Sequence, residues 1–270
     1  MIHVLLIAML LLGPAASTDV VPMRAPNNGG VYVVAHRGVH EGIPENTLAA
    51  YRKAIELGAD FVEIDLRETR DGRFVSIHNH TVDDYTKDAT GAVKDFTLEE
   101  LRALDIGSRV GPEWAEERIP VFEDILELCR GKIGIYLDMK QGDVKKAAAL
   151  VREYDMASDV LWYVGGPQLR ELRACCSECL VMPDPGPKRN LGRILEDGSP
   201  GLVASVWKHI SESFVRTCHE AGAKVIVDEG GPESWETLLG WGVDGIQTDH
   251  VAGLVEKLRT REPSGDGGQP

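Results

Sequence analysis

Eight short β-rich runs alternate with helix-like segments over 270 residues, and one extra run breaks the alternation; together these predict an α/β chain, a (β/α)8 barrel with a hairpin extension after the second strand. The eight runs are 31–36, 61–66, 133–139, 160–165, 179–183, 202–207, 224–228 and 244–248. A barrel of this kind takes about 250 residues, so a single domain over 18–260 accounts for the chain.

The chain opens with VLLIAMLLL at 4–12, followed by Gly13, Pro14 and the small residues Ala15, Ala16 and Ser17. This pattern predicts a signal peptide over 1–17 and export to the periplasm or the extracellular space. The apolar run is too short to span a bilayer as a helix, so no stable membrane insertion is expected. The first strand, VYVVAH, leads to TLAAYRKAIELGA, a helix capped at Asn46 or Thr47 and ended by Gly58. VFEDILELCRG ends at Gly131, and SESFVRTCHEAG starts from a Ser211 cap and stops at Gly222. The tail REPSGDGGQP, 261–270, has the composition of a disordered segment.

RFVSIH at 73–78 follows the strand at 61–66 after only ETRDG, too short a link for a crossover helix. Asp71-Gly72 is a two-residue hairpin signal. A turn centred between these two residues pairs His78 with Asp65. Glu63 and Asp65, two apart on one strand, share a face.

The net charge of −14 excludes broad attraction to nucleic acid or to an anionic membrane surface. An anionic substrate must then be drawn by a metal ion and a few local cations. Five cysteines, Cys129, Cys175, Cys176, Cys179 and Cys218, cannot all pair within the chain. ACCSEC has no second CxxC or histidine pair beside it, so buried thiols or one local disulfide fit better than zinc.

His36 and His78 end strands, as do the paired acids Glu63 and Asp65, and the C-terminal rim of a barrel is where catalytic groups gather. Two imidazoles and a carboxylate pair suit metal-assisted cleavage of a phosphodiester, which needs charge neutralisation and proton transfer on both sides of phosphorus. IGIYLDMK adds Asp138 and Lys140 at the end of an apolar strand. Taken alone, those two read as a surface ion pair.

HRG at 36–38, PENT at 44–47, ExD at 63–65, TRDG at 69–72, DFTLEELRALDIGS at 95–108, IPVFEDILEL at 119–128, LDMK at 137–140 and GVDGIQTD at 242–249 follow one another in order. This ordered set resembles the glycerophosphodiester phosphodiesterase family across nearly the whole chain after residue 17. The resemblance implies that His36 and His78 are an acid/base pair and that Glu63, Asp65 and Asp138 ligate a divalent cation. It implies phosphate contacts from Lys140 and Arg37. An all-oxygen ligand set suits Mg²⁺ or Ca²⁺. The expected reaction is hydrolysis of a small phosphodiester to glycerol 3-phosphate and an alcohol, and the family's nucleophile can be the substrate's own 2-hydroxyl. Lysophospholipase D or sphingomyelinase D-like chemistry, and a non-catalytic binding role, are the alternatives.

Two places depart from the family pattern. Asn79 stands where an Asp usually follows the second histidine, and His80 next to it preserves strand parity with His78. Asp228-Glu229-Gly230-Gly231 replaces an aromatic segment, which leaves Trp207 as the candidate aromatic contact for substrate. His40 and Glu45 flank the first histidine. Asp244 and Asp249 are expected to cap the last strand and helix.

Overall fold

The computed structural model describes residues 23–196 and 200–261. The leader expected at 1–17 lies outside the described residues, as does all of the predicted tail except Arg261. Among the described residues no helix is long and apolar enough to cross a membrane.

Eight parallel strands form a nearly closed barrel. They are β1 (Tyr32–Ala35), β2 (Phe61–Glu68), β4 (Gly134–Gln141), β5 (Val160–Tyr163), β6 (Leu180–Val181), β7 (Leu202–Val206), β8 (Lys224–Asp228) and β9 (Gly245–Thr248). They are ordered β6-β5-β4-β2-β1-β9-β8-β7. At the seam between β6 and β7, the Ala204 N–H reaches the Pro183 carbonyl at 3.0 Å. β3 (Phe74–Ser76) lies off this path and pairs antiparallel with β2.

Side chains alternate about the strands as a two-sided buried sheet requires. Tyr32, Val34, Phe61, Tyr136, Leu161, Leu180, Leu202, Ala204 and Ile226 fill the barrel interior. Their neighbours Val33, Val62, Ile64, Ile135, Leu137, Trp162, Val203, Val225 and Ile246 join the larger core between strands and helices. Extending the interior parity upward places His36, Glu63, Asp65, Asp138, Lys140, Asp228 and Asp249 above that plug.

The helix ends follow their local sequence. Helix α1 (Leu48–Leu57) starts at Thr47, whose hydroxyl accepts from the Ala50 N–H, and ends at Gly58 with φ of 80°. Helix α2 (Glu212–Glu220) is capped by Ser211 in the same way. Between β3 and the helix at Phe122–Cys129, a separate apolar cluster including Val75, Ile77, Val82, Tyr85, Leu101 and Ile119 packs the long excursion beside the rim.

The hairpin register differs by one residue from the sequence expectation. Leu66 pairs with Ser76 and Glu68 with Phe74, so the position opposite Asp65 belongs to Ile77 and not to His78. The Ile77 N–H donates to the Asp65 carbonyl at 2.9 Å. The turn accounts for the slip: the Thr69 hydroxyl donates to Asp71 and accepts from the Arg73 N–H, closing a longer loop than two residues.

Candidate active site

His36 ends β1, and the next two residues explain why HRG takes the form it does. Arg37 has φ of 53°, which turns its N–H onto Glu63 Oε2 at 2.8 Å. Gly38 has φ of 79°, and a Cβ there would come within 2.8 Å of the Ala50 backbone in α1. The loop then returns through PENT. Asn46, 2% exposed and itself at φ of 54°, donates from Nδ2 to Asp65 Oδ2 at 2.7 Å. Its Oδ1 accepts from Tyr51 Oη at 2.9 Å and from Ser76 Oγ at 2.8 Å. Glu45 accepts from Arg37 and from the Tyr85 hydroxyl at 3.0 Å.

The parallel register of β2 and β4 sets Asp65 beside Asp138 and Glu63 beside Tyr136. One carboxylate oxygen from each of Glu63, Asp65 and Asp138 lies within 4.8 Å of the other two. Glu63 and Asp65 are 3% and 1% exposed. Burial, then repulsion from Asp65 and Asp138, pushes the Glu63 carboxyl well above its ordinary value. Burial also raises Asp138, against the pull of Lys140. Lys140 Nζ lies 2.6 Å from Asp138 and 3.2 Å from Asp65. Burial draws its pKa down, but these two carboxylates outweigh that and hold the ammonium above its ordinary value.

Three crowded, desolvated carboxylates beside Lys140, with the Arg37 guanidinium 3.7 Å from Asp65, are a donor set short of positive charge. They fit a hard divalent ion, which takes oxygen ligands from side chains and water. Arg37 Nε is buried without a hydrogen-bond partner, 3.7 Å from Asp65, a donor left over for an oxyanion.

The two histidines are each fixed through Nδ1. His36 Nδ1 lies 2.7 Å from Asp249 Oδ1, and His40 Nε2 reaches the same oxygen at 2.9 Å. These hydrogen bonds hold Asp249 far below the usual carboxylate range. Asp249 follows β9, where Tyr32 pairs with Gly245 and Val34 with Gln247, so His36 and Asp249 continue one ladder. Asp249 is therefore a partner of His36 and not merely a cap. The Asp244 side chain does not cap the last strand or helix: it binds His219 and Lys224 and accepts from the Val225 N–H in β8.

His78 Nδ1 lies 2.9 Å from Asn79 Oδ1, and Asn79 Nδ2 donates to Asp84 at 2.7 Å. The negative charge absent at position 79 is thus supplied one amide further out. Arg67 grips the His78 carbonyl at 2.6 Å, and His78 is near enough to Asp138 to draw that carboxyl's pKa down. His80 is exposed.

Trp207 is placed differently from the substrate contact expected of it. It carries on the outward parity of Val203 and Ser205, and its ring stacks on Trp241 with centroids 6.0 Å apart. A Cβ on Gly230 would fall 2.4 Å from the Trp207 ring. The glycine that replaces part of the aromatic segment makes room for this packing. Sequence reasoning missed Asn46 and Asp249, although PENT and GVDGIQTD contain them; the signal for Asp249 was its shared parity with Gln247. Cys176 and Cys179 form a disulfide, leaving Cys129, Cys175 and Cys218 as free thiols.

The model of the glycerophosphoryl diester phosphodiesterase family matches residues 36–166. A glycerophosphodiester phosphodiesterase of Caldanaerobacter subterraneus is 33% identical over 249 residues, covering 84% of this chain and 97% of that protein. The crystal structure of a glycerophosphodiester phosphodiesterase from Agrobacterium tumefaciens superposes with a TM-score of 0.71 at 27% identity, over 82% of this chain and 98% of that one. An Oleispira antarctica phosphodiesterase, solved with the product sn-glycerol-3-phosphate, has a TM-score of 0.77 at 24% identity over 84% and 96% of the two chains, which shows the shared fold. With these likenesses running from the first strand to the last, the chain belongs to the glycerophosphodiester phosphodiesterase family.

Proposed function

We propose that this enzyme hydrolyses glycerophosphodiesters to glycerol 3-phosphate and an alcohol, with His36 and His78 as the acid/base pair. The observation that carries this reading is the arrangement around the carboxylate trio. Glu63, Asp65 and Asp138 converge beside Lys140 and the unpaired Arg37 Nε, and the two histidines have their Nδ1 atoms committed to Asp249 and Asn79.

A divalent cation, Mg²⁺ or Ca²⁺, held by Glu63, Asp65 and Asp138 would supply further neutralisation of the phosphoryl charge. Lys140 and Arg37 donate to the non-bridging oxygens, where charge grows in the transition state. With Nδ1 occupied, each histidine works through Nε2. One accepts the proton of the nucleophile, the glycerol 2-hydroxyl or water, and the other protonates the departing alcohol oxygen. Asp249 keeps His36 in the required tautomer. Asn79, backed by Asp84, does the same for His78. Export, supported by the run at 4–12, would bring the enzyme to glycerophosphodiesters outside the cytoplasm.

The test is release of glycerol 3-phosphate from glycerophosphocholine in Mg²⁺, in Ca²⁺ and in EDTA. Release is expected with a divalent cation and not with EDTA. His36→Ala and His78→Ala should each lower kcat by about 10²–10⁴, the usual range for losing an acid/base group. Unchanged turnover in both variants overturns the assignment.

A further inference from the structure

We infer that His36, His40 and Asp249 form a second metal site, selective for Zn²⁺, whose occupancy inhibits the enzyme. The site lies on the opposite side of His36 from the work assigned to its Nε2. His36 Nδ1 and His40 Nε2 lie 2.7 and 2.9 Å from one oxygen of Asp249. One potential ligand atom from each residue lies within 4.8 Å of the others. The imidazole planes cross at 77° with centroids 6.2 Å apart, so the rings bring edges toward a common point and do not stack.

A tetrahedral Zn²⁺ site has bonds of about 2.0–2.1 Å and hence donors about 3.3 Å apart. The present hydrogen-bonded separations need to open by only about half an ångström to reach that value. Two imidazoles and one carboxylate with an open position are zinc chemistry, whereas the all-oxygen trio at Glu63, Asp65 and Asp138 favours a hard cation. The two sets therefore sort ions by type. The side chains of His36, His40 and Asp249 are 24%, 25% and 49% exposed, which leaves an entry path and room for a water ligand.

Binding takes the lone pairs of His36 Nδ1 and His40 Nε2, so in each neutral ring the single proton moves through solvent from the nitrogen that now faces Asp249 to the other nitrogen, and a ring that was protonated on both nitrogens releases one proton. With Nδ1 on the ion, His36 carries its remaining proton on Nε2. It can neither accept a second proton nor readily give up the one it holds. The inhibitory half of the inference rests on the acid/base role proposed for His36; the binding half does not.

The experiment titrates Zn²⁺ into the purified protein in millimolar Mg²⁺, following bound zinc by equilibrium dialysis, the visible spectrum of a Co²⁺ substitute, and turnover. The wild type and Glu63→Gln should each bind one zinc ion that excess Mg²⁺ does not displace, and the wild type should lose activity in proportion to occupancy. His40→Gln keeps an N–H for Asp249 but removes a ligand nitrogen. It should fold and turn over as the wild type does, bind zinc at least tenfold more weakly, and lose the Co²⁺ bands. Equal zinc affinity in His40→Gln, or displacement of zinc by Mg²⁺, overturns the site. His40-dependent binding with full activity upholds the site and overturns both the inhibition and the role of His36.

Discussion

Asn46→Ala tests whether a buried scaffold holds the cation-facing carboxylates in place. The substitution removes the donor to Asp65 Oδ2 and the acceptor shared by Tyr51 and Ser76. A hydrogen bond to a charged group contributes about 1.5–3 kcal/mol and a neutral one about 0.5–1.5 kcal/mol. Tyr51 Oη and Ser76 Oγ are already 2.8 Å apart and retain each other. The side-chain loss is therefore the Asp65 bond plus roughly one neutral bond, about 3 kcal/mol. The backbone adds to it, because φ at this position is 54° and alanine tolerates the left-handed region less well than asparagine, by about 1 kcal/mol. A domain of this size loses about 2–4 °C of Tm per kcal/mol, so Asn46→Ala should melt about 8–16 °C below the wild type in EDTA. Asn46→Gly lacks the backbone penalty and should regain about 1 kcal/mol of the loss. The half-activating Mg²⁺ concentration should also rise in both variants, since Asp65 is no longer steered. A fall in Tm under about 3 °C in both variants, which corresponds to about 1 kcal/mol, would refute the reasoning and show that Asp65 is held by its ion pairs alone.

Glu63→Gln should raise Tm in EDTA, because it removes a desolvated charge repelled by Asp65 and Asp138, and should abolish the Tm increase that Mg²⁺ or Ca²⁺ gives the wild type; a retained increase places the cation elsewhere. Asp249 is held below the carboxylate range by bonds from His36 and His40, and His40 is held above its usual value by its bond to Asp249. A depressed acid adds stability above its unfolded pKa of about 3.9, and a raised histidine adds it below about 6.5. Asp249→Asn should accordingly destabilise most between those pH values, as denaturant titrations across pH will show, and converge on the wild type as pH falls through the lowered Asp249 value or rises through the raised His40 value. A constant difference across that range removes the ion pair as the cause. Alkylation of the denatured, unreduced protein should label three of the five cysteines, Cys129, Cys175 and Cys218, with mass spectrometry finding all five only after reduction.

Much of the site was legible because its residues occupy positions that local rules govern. Glu63 and Asp65 share a face by strand parity, as do Asp138 and Lys140, and strand ends of a parallel barrel point to one rim. The hairpin after β2 was legible from Asp71-Gly72, but its register was not. Thr69 bonds on both sides of the turn and shifts the pairing by one residue, a competition among side chains that no dipeptide rule records. Asn79 looked like the loss of a charge. In the folded chain Asp84 stands behind it.

The sequence by itself determined the alternation of strands and helices, the position of His36, Glu63, Asp65 and His78 along it, and, through an ordered set of motifs, the resemblance to the family. These follow from periodicity, caps and short motifs, all of which are local. Only the tertiary structure decided that Asp249 serves His36, because that contact joins residues 213 positions apart across the closing pair β1 and β9. It also decided the β2–β4 register that sets Asp138 directly beside Asp65, and that Trp207 turns outward onto Trp241. Barrel closure brings the first strand against the last, and it is this global constraint, with no signature in any short stretch of chain, that assembles the histidine side of the site.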